Sequence, residues 1–349
     1  MDGIECGLAD ERDWPEWEAF LRRSPGATPF HARPWHAALV AGLGHGAAHL
    51  VARQQGAIVG VLPLFTVSPP WGRPFLVSVP AANHAGPIAP EASARSALIT
   101  RAVRETEERG LAYLELRTAE RPAPAPGLAS VPDRYVTYRI ALDRSAESVW
   151  SRLPGKIRTA VRKARKLGTV VVSGREGRDL AEFMLVYRSA MDRLGSPGFG
   201  EPFFRALLDS FGEGATIFRA TRQGRTVAAD FVVEGFGLLA PIYAGQTEEG
   251  RAVSANYLVS WAGIEHGCGH GAAVYDFGRS SVNTPAARFK ARWGGQQVAL
   301  TYHYHMSSGG PPPDRDPHRP LFRLAARCWR RLPAAVRWWL GPRIVRYLH

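Results

Sequence analysis

Cysteine is scarce in this chain of 349 residues, which contains only Cys6, Cys268 and Cys328. Three thiols so far apart in sequence do not make the disulfide framework of a small secreted domain, and they indicate a reducing compartment. The stretch HGCGH places two imidazoles around Cys268, but no second group of ligands accompanies it. We therefore assign no metal to the sequence.

Long apolar runs are also missing. No uninterrupted apolar stretch reaches the roughly 18–20 residues that are needed to span a bilayer. The first residues, MDGIECGLADERDW, are too acidic and polar for a secretion signal. The sequence therefore predicts a cytoplasmic protein.

Acidic residues are outnumbered by basic ones, with 31 Asp and Glu against 44 Lys and Arg and a formal net charge of +13. This surplus favours anionic partners such as phosphates, nucleic acid or an acidic membrane surface. Hydrophobic residues make up 45% of the chain and aromatic ones 10%, which is typical of a folded globular protein. The length suits two domains.

The two halves of the chain resemble each other. ARQQGAIVGVLPL and ATRQGRTVAADFV align without a gap and pair Gly56 with Gly224, and RGLAYLELR is similar to HGAAVYDFGR. Each half also has the pattern of a hairpin, a helix and a strand. The repeat predicts a duplicated α/β (α+β) domain with a boundary near Asp143 and a ligand cleft between the halves. Two QG turns that are similar by chance are the alternative.

Residues 274–295, VYDFGRSSVNTPAARFKARWGG, contain the letters DFG, which mark a magnesium-binding aspartate in protein kinases. The chain lacks the glycine-rich loop, the strand lysine and the upstream HRD loop that a kinase needs, so this function is excluded. The local residues predict a strand that ends at Asp276, a tight turn at Gly278 and a short helix. Thr284 is the expected N-cap of that helix, and Pro285 its first residue.

The same segment strongly resembles the FemAB-like proteins, in the branch associated with exosortase/PEP-CTERM systems of Gram-negative bacteria. The resemblance includes GAIVGVLPLF, YLELR, SAMDRLGSPGFGEPFFRALLDSFG, SANYLVSWAGIEHG and CWRRLPAAVRWWLGPRIVRYL, so it covers nearly the whole chain. It implies tandem duplicated GNAT-like acyltransferase domains over residues 1–142 and 143–305. A basic C-terminal helical tail, residues 306–349, is expected to follow.

The activity that this resemblance implies is N-acyl transfer. The studied FemAB proteins move an aminoacyl group from aminoacyl-tRNA onto an amine of a peptidoglycan precursor. We therefore expect acyl or aminoacyl transfer to an amine of a cell-envelope or exopolysaccharide precursor, with an anionic or lipid-linked acceptor. The donor stays open between aminoacyl-tRNA and acyl-coenzyme A, since GQTEEGRAVSANY offers few glycines to a pyrophosphate. A non-catalytic GNAT pair that binds an anionic lipid-linked glycan is the alternative.

Acyl transfer to an amine needs a base, and two acids are candidates. Asp276 is expected at the carboxyl end of a strand, where α/β sheets place functional groups. Capping of the following turn, or pairing with Arg279, is the alternative role. Asp230 lies in TVAADFVVE on the strand face opposite to Ala229 and Phe231, where small apolar neighbours should raise its pKa.

The resemblance implies further site residues. Lys290 matches the lysine of the family's FK or YK helix, which lies at the active site and steadies the negative charge of the transition state. A solvated surface position is the alternative for Lys290, and packing is the alternative for Tyr243. NHAGPIA is similar to the family's cleft loop. Resemblance and position together predict substrate contacts for Tyr243, Arg193, Phe289, Arg279, Asn83 and His84.

The segment GKIRTAVRKARKLG predicts an amphipathic helix with one strongly basic face. That face predicts phosphate binding, either to tRNA or coenzyme A as donor or to a lipid-linked acceptor. A solvated charged face is the alternative. The candidate phosphate-binding residues are Arg158, Arg162, Arg165 and Lys166.

The end of the chain has no acidic residue after Asp316 and eight arginines. Together with its tryptophans, this composition predicts peripheral contact of residues 319–349 with the inner leaflet of the cytoplasmic membrane. Packing of the tail on the protein's own body is the alternative.

Overall fold

The computed structural model describes residues 3–119, 127–313 and 320–348, without the side chains of residues 321–323. Short strands and three helices make up its first part, which ends in a long strand. The elements are β1 (Glu5–Leu8), α1 (Trp14–Arg23), α2 (Arg33–Leu43), β2 (Gly46–Ala47), β3 (Leu50–Gln54), β4 (Ala57–Leu62), β5 (Phe65–Val67), β6 (Phe75–Val77), α3 (Ala92–Glu108), β7 (Tyr113–Ala119) and β8 (Ala129–Ala141).

The second part has longer helices and strands, and two more helices form the tail. The elements are α4 (Ala146–Arg152), α5 (Gly155–Lys166), β9 (Val170–Gly174), α6 (Gly177–Leu194), α7 (Glu201–Phe211), β10 (Ala215–Arg222), β11 (Arg225–Gly235), β12 (Leu238–Gln246), α8 (Glu248–Ala252), α9 (Ala255–Gly269), β13 (Val274–Asp276), β14 (Ser280–Ser281), α10 (Pro285–Ala291) and β15 (Gln296–Met306). The tail contains α11 (Pro320–Arg331) and α12 (Ala334–Val345).

The two halves repeat one order of elements. An edge strand, β1 or β9, pairs with the first strand of a hairpin, β3–β4 or β10–β11. In both hairpin turns two consecutive residues have positive φ. The values are 51° for Gln55 and 81° for Gly56 in the first half. They are 49° for Gln223 and 75° for Gly224 in the second half. Each half then joins two parallel strands through a helix, β6–α3–β7 and β12–α9–β13. The prediction of a tandem GNAT-like α/β fold with a helical tail is confirmed.

Proline causes the main difference between the halves. Pro63 separates β4 from β5, because it has no N–H to donate to a strand ladder. β4 therefore stays in a three-stranded sheet with β1 and β3, while β5 joins the large sheet. In the second half β11 continues unbroken, with a register shift between Phe231 and Val232.

Strands β8 and β15 join the halves into one large sheet. β15 pairs with β7 and with β8, and β8 pairs in turn with β13. The strand order is β2-β5-β6-β7-β15-β8-β13-β12-β11-β10-β9. The domain limits at residues 142 and 305 stay a prediction, since β8 lies before the first limit and pairs with a strand after it.

Helices cover both faces of β11. Phe231 packs with Phe183 of α6 and Phe204 of α7, and its neighbours Ala229 and Val233 belong to the same core. The intervening residues Ala228 and Val232 pack in a second core with α9. This alternation places Asp230 on the α9 side of the sheet, as its sequence pattern predicts.

The tail packs in part on the body. Val345 of α12 is buried in the core, and Arg337 forms an ion pair of 2.8 Å with Asp192 of α6. The other surface of the tail is open, since Trp339 is 61% exposed and Leu324 57%. None of the described helices combines the length and hydrophobicity that a membrane crossing requires.

Candidate active site

A cavity opens where two parallel strands separate. β12 and β13 are paired only at Leu238–Leu239 and Val274–Tyr275, after which β13 ends and β12 continues to Gln246. The resulting space of about 470 Å³, here called the C-terminal cavity, is large enough for a small molecule. Its lining comes from β11, β12, α6, α9, α10, the turn after β13 and the loop at Asn83.

The turn after β13 requires glycine. Gly278 has a φ of 75°, and a Cβ there would lie 3.0 Å from Nδ2 of Asn83. The next backbone N–H, of Arg279, donates to Oδ1 of Asn83 at 2.9 Å. The predicted short helix follows, with Thr284 Oγ1 accepting from the N–H of Ala287. The strand, turn and capped helix predicted from the sequence are therefore confirmed.

Asp230 lines this cavity and is 7% exposed. Burial raises the pKa of its carboxyl to about 7, against opposing effects of Ser260 and of the charge on Lys290. Ser260 Oγ donates to Oδ2 of Asp230 at 3.5 Å. A carboxyl with a pKa near neutrality exchanges protons readily at physiological pH, which is the requirement for a general base.

Lys290 lies across the same cavity on α10. Its ammonium donates to the carbonyl oxygens of Gly278, at 2.8 Å, and Arg279, at 3.1 Å. Burial lowers the pKa of Lys290 to about 8, with Asp276 and Asp230 opposing the shift. Because an ammonium has three N–H groups, these two bonds fix its position and leave one donor for a ligand.

Asp276 is 1% exposed and does not line the cavity. Its carboxylate accepts hydrogen bonds from Thr137 Oγ1 at 2.5 Å, from Arg139 Nε at 2.8 Å and from the N–H of Gly278 at 2.8 Å. Burial alone would raise the pKa of this carboxyl, but the charge on His84 where that imidazole is protonated, the charge on Arg139 and the hydrogen bonds lower it on balance. The predicted capping contact to the turn is present, and the ion-pair partner is Arg139 instead of Arg279.

Replacing Asp276 by Asn should lower the free energy of unfolding by roughly 2–3 kcal/mol. A buried charge that loses its partner costs about 3–5 kcal/mol, and the loss is smaller here because 21% of the Arg139 side chain is exposed. Urea unfolding measures the change. Glu201→Gln is the control, since its 2.7 Å pair with Arg205 is exposed and worth ~0.5 kcal/mol. Equal losses in both variants would contradict a structural role for Asp276.

Four of the six predicted substrate residues line the C-terminal cavity: Asn83, Arg193, Arg279 and Phe289. Tyr243 does not. Its hydroxyl donates to the carbonyl oxygen of Ala81 at 3.0 Å, and its ring packs among aromatic side chains of α6 and α7. His84 is also outside this cavity and contacts Arg139, with 3.1 Å between Nε2 and Nη2.

The predicted phosphate-binding residues of α5 do not line the C-terminal cavity. Arg162 lies over the ring of Trp150 at 5.6 Å, and Arg165 approaches Glu265 at 3.5 Å. Their role in binding phosphate stays a prediction, as it does for Arg158 and Lys166. Among the described residues, no group of three or more His, Cys, Asp or Glu is arranged to hold a metal ion.

Some site residues were not found from the sequence. Asn256 and Ser260 of α9 line the cavity, and Thr137 and Arg139 of β8 hold Asp276. A signal existed for Ser260, a polar residue within the apolar run LVSWAGI. Strand alternation in RYVTYRIAL also puts Thr137 and Arg139 on one face. Their contact with Asp276, 139 and 137 residues further along the chain, has no local signal.

Comparison with known proteins supports the fold of this site. The acetyltransferase (GNAT) domain family matches residues 151–291. The fold is similar to that of FemX (14% identity, 92% of this chain and 100% of that one, TM-score 0.68). It is also similar to a tandem GNAT protein from the clavulanic acid biosynthesis pathway (15%, 89% and 100%, TM-score 0.56) and to L-PGS from Bacillus licheniformis (14%, 93% and 99%, TM-score 0.54). No curated protein matches the sequence.

Proposed function

We propose that this chain, in which residues 151–291 match a GNAT acetyltransferase domain, is an N-acyltransferase that acts in the C-terminal cavity. The acceptor is an amine of a cell-envelope or exopolysaccharide precursor. One observation carries the proposal. Asp230 and Lys290 line the same cavity, and burial brings the pKa of Asp230 up to about 7 and that of Lys290 down to about 8.

The two side chains divide the chemistry of acyl transfer. The nitrogen of the acceptor amine attacks the carbonyl carbon of the donor, and the Asp230 carboxylate takes a proton from that nitrogen. The Lys290 ammonium stabilises the oxyanion that forms. When the intermediate collapses, the new C–N bond remains, and the C–S or C–O bond to the donor breaks with its electron pair on the leaving group. Asp276 serves as a positioning residue that holds the Gly278 turn.

The charge of the cavity suits an anionic acceptor. Among the described residues that line it, Arg193, Arg279 and Lys290 are cationic, and Asp230 is acidic. Such a surplus attracts phosphate groups and disfavours a second cation, so it helps to keep the acceptor amine neutral and nucleophilic. A nucleotide-linked or lipid-linked amino sugar has the required combination of phosphate and amine.

The connection between β12 and α9 bears on the donor. In this segment α8 forms a short helix capped by Thr247, and its Glu249 is paired with Arg222 at 2.7 Å. Glu248 and Glu249 in the first turn of α8 add negative charge at the place where a GNAT fold needs free backbone N–H groups for the pyrophosphate of coenzyme A. This arrangement favours aminoacyl-tRNA over acyl-coenzyme A as donor.

Label transfer tests the proposal. Purified protein is mixed with lipid-linked envelope precursors and either radiolabelled aminoacyl-tRNA or acetyl-coenzyme A. We expect label on the precursor with aminoacyl-tRNA, and transfer slowed about 100-fold or more in Asp230→Asn. Transfer from acetyl-coenzyme A but not from aminoacyl-tRNA would show that the donor is an acyl-coenzyme A. No transfer from either donor would favour the alternative of a non-catalytic glycan-binding protein.

We further propose that the tail places the protein at an anionic membrane surface. Trp339, Leu324 and Val336 are exposed on it, and the guanidinium of Arg343 lies over the Trp339 ring at 4.4 Å. Arginines near an anionic surface contribute up to about 1 kcal/mol each. We expect the full chain to sediment with phosphatidylglycerol vesicles, with binding that weakens as salt is added.

The double variant Trp339→Ser and Leu324→Ser should lose most of this binding. Leu8→Ser is the control, since Leu8 is 53% exposed on β1, outside the tail. Point variants are preferable to truncation, because removing α12 would also remove the buried Val345 from the core. Binding that is unaffected by the double variant, or by salt, would rule out a membrane role for the tail.

A further inference from the structure

A second cavity lies in the N-terminal half, where β6 and β7 separate. These strands are paired at Leu76–Val77 and Leu114–Glu115 only, after which β7 continues to Ala119 beside β15 and without β6. The space of about 450 Å³, here called the N-terminal cavity, lies between residues 84–90, the end of β7, α3 and parts of β8 and β15.

The two cavities are related by the duplication. Aligning Gly110 with Gly271, which follow α3 and α9, pairs Glu115 within β7 with Asp276 at the end of β13. The same offset pairs residues of α3 and β7 that line the N-terminal cavity with residues that line the C-terminal one: Arg95 with Asn256, Ile99 with Ser260, Leu116 with Phe277, and Thr118 with Arg279. The N-terminal cavity is therefore the counterpart of the candidate active site.

The counterpart lacks the proposed base. The ungapped alignment of the two hairpins, with Gly56 on Gly224, pairs Asp230 with Leu62, which is fully buried and apolar. A cavity without a carboxylate at this place cannot take a proton from an amine as Asp230 would. The N-terminal cavity therefore has the architecture of a ligand site without the means for acyl transfer.

The polar groups of the N-terminal cavity favour an anion. Arg95 and Arg139 are its cations, and none of the described lining residues is acidic. Burial lowers the pKa of His31 to about 3 and of His84 to about 4, and it also lowers that of His303, so all three imidazoles are uncharged at neutral pH. Arg139 is already paired with Asp276. Arg95 has no acidic neighbour among the described residues that line the cavity.

One buried polar atom in this cavity has no partner. His84 is 4% exposed, and while its Nε2 meets Arg139, its Nδ1 has no hydrogen bond. The rest of the wall is mainly apolar, with Ile88, Ile99 and Leu116 among its side chains.

We propose that the N-terminal cavity is a second, non-catalytic binding site for a small molecule with one anionic group, a carboxylate or phosphate, and an apolar body. Arg95 binds the anionic group, and the apolar wall covers the remainder. This site is independent of the proposed chemistry at Asp230.

Octanoate is a suitable probe, with 1-octanol as its uncharged analogue. In isothermal titration of the full chain we expect one octanoate per protein and at least tenfold weaker binding of octanol, since a charge-assisted hydrogen bond is worth ~1.4 kcal/mol or more. Arg95→Gln should weaken octanoate binding about tenfold. Arg104→Gln removes an exposed arginine from the same helix and should change nothing.

Two more variants decide where octanoate binds. Ile99→Phe narrows the N-terminal cavity and should weaken binding of both probes, while Arg193→Gln alters the C-terminal cavity and should leave binding intact. Thermal melts verify that each variant is folded. Loss of octanoate binding in Arg193→Gln but not in Arg95→Gln would place the probe in the C-terminal cavity and overturn the proposal. Absence of binding by the unmodified chain would overturn it as well.

Discussion

Replacing Asp230 by Asn is expected to lower turnover by about 10²–10⁴-fold, the usual contribution of a general base. Asn has the shape of Asp but cannot take a proton from the acceptor amine. Because the side chain lies in the cavity wall and Asn keeps its volume, substrate affinity should change far less than turnover. Single-turnover label transfer, compared with equilibrium binding of the acceptor, separates the two effects.

The same substitution should stabilise the fold at alkaline pH. The Asp230 carboxyl has a pKa of about 7 in the folded protein, against 3.8 as its ordinary value. As pH rises from about 4 to 7, the unfolded chain loses this proton while the folded protein retains it, so stability falls with pH and stays low above 7. Each pKa unit is worth about 1.4 kcal/mol, so the penalty reaches roughly 4 kcal/mol. Asn carries no such penalty.

The measurement is the difference in melting temperature between Asp230→Asn and the unmodified chain across pH. We expect the variant to melt higher at pH 8 and the difference to vanish near pH 4. Asp209→Asn, on the surface of α7, is the control and should show no pH-dependent gain. A variant that melts lower at pH 8, or one that retains full turnover, would remove Asp230 from the catalytic role.

Local pattern was enough to predict the parts of the site that lie within one element. The QG turns, the Gly278 turn and the capped helix of Lys290 depend on neighbours in sequence, which is why they could be recognised. The face of Asp230 follows from strand alternation in the same way. Its raised pKa could be predicted because the side chains next to it on that face are small and apolar.

The parts that were not predicted depend on contacts distant in sequence. The pairing of β8 with β13 brings Arg139 to Asp276, and nothing near residue 276 indicates this partner. The hydroxyl of Tyr243 reaches Ala81 in the other half, which makes it a packing residue at the junction instead of a cavity residue. Sequence periodicity gives the face of a strand but not which strand lies beside it.

Lys290→Met is expected to lower turnover by about 10²–10³-fold, as for the loss of one oxyanion donor. The pH profile should change as well. The unmodified protein needs Asp230 deprotonated and Lys290 protonated, and its activity should rise near pH 7 and fall near pH 8. Met has no proton to lose, so the alkaline fall should disappear. The acidic limb should move to higher pH, because the charge on Lys290 lowers the pKa of Asp230.

The variants Lys290→Arg and Arg292→Met distinguish a catalytic role of Lys290 from a structural one. Arginine retains its charge through pH 10, so Lys290→Arg should lose the alkaline fall while keeping more activity than Lys290→Met. Arg292 is exposed just after α10, and its replacement by Met should leave rate and profile unchanged. The Lys290 ammonium also binds two backbone carbonyls, so a purely structural role would lower the melting temperature of Lys290→Met and leave the alkaline limb of the profile in place. Such a result would mean that Lys290 supports the Gly278 turn. Oxyanion stabilisation would then come from another donor of the cavity, and Arg279 is the cavity cation nearest to Lys290 along the chain.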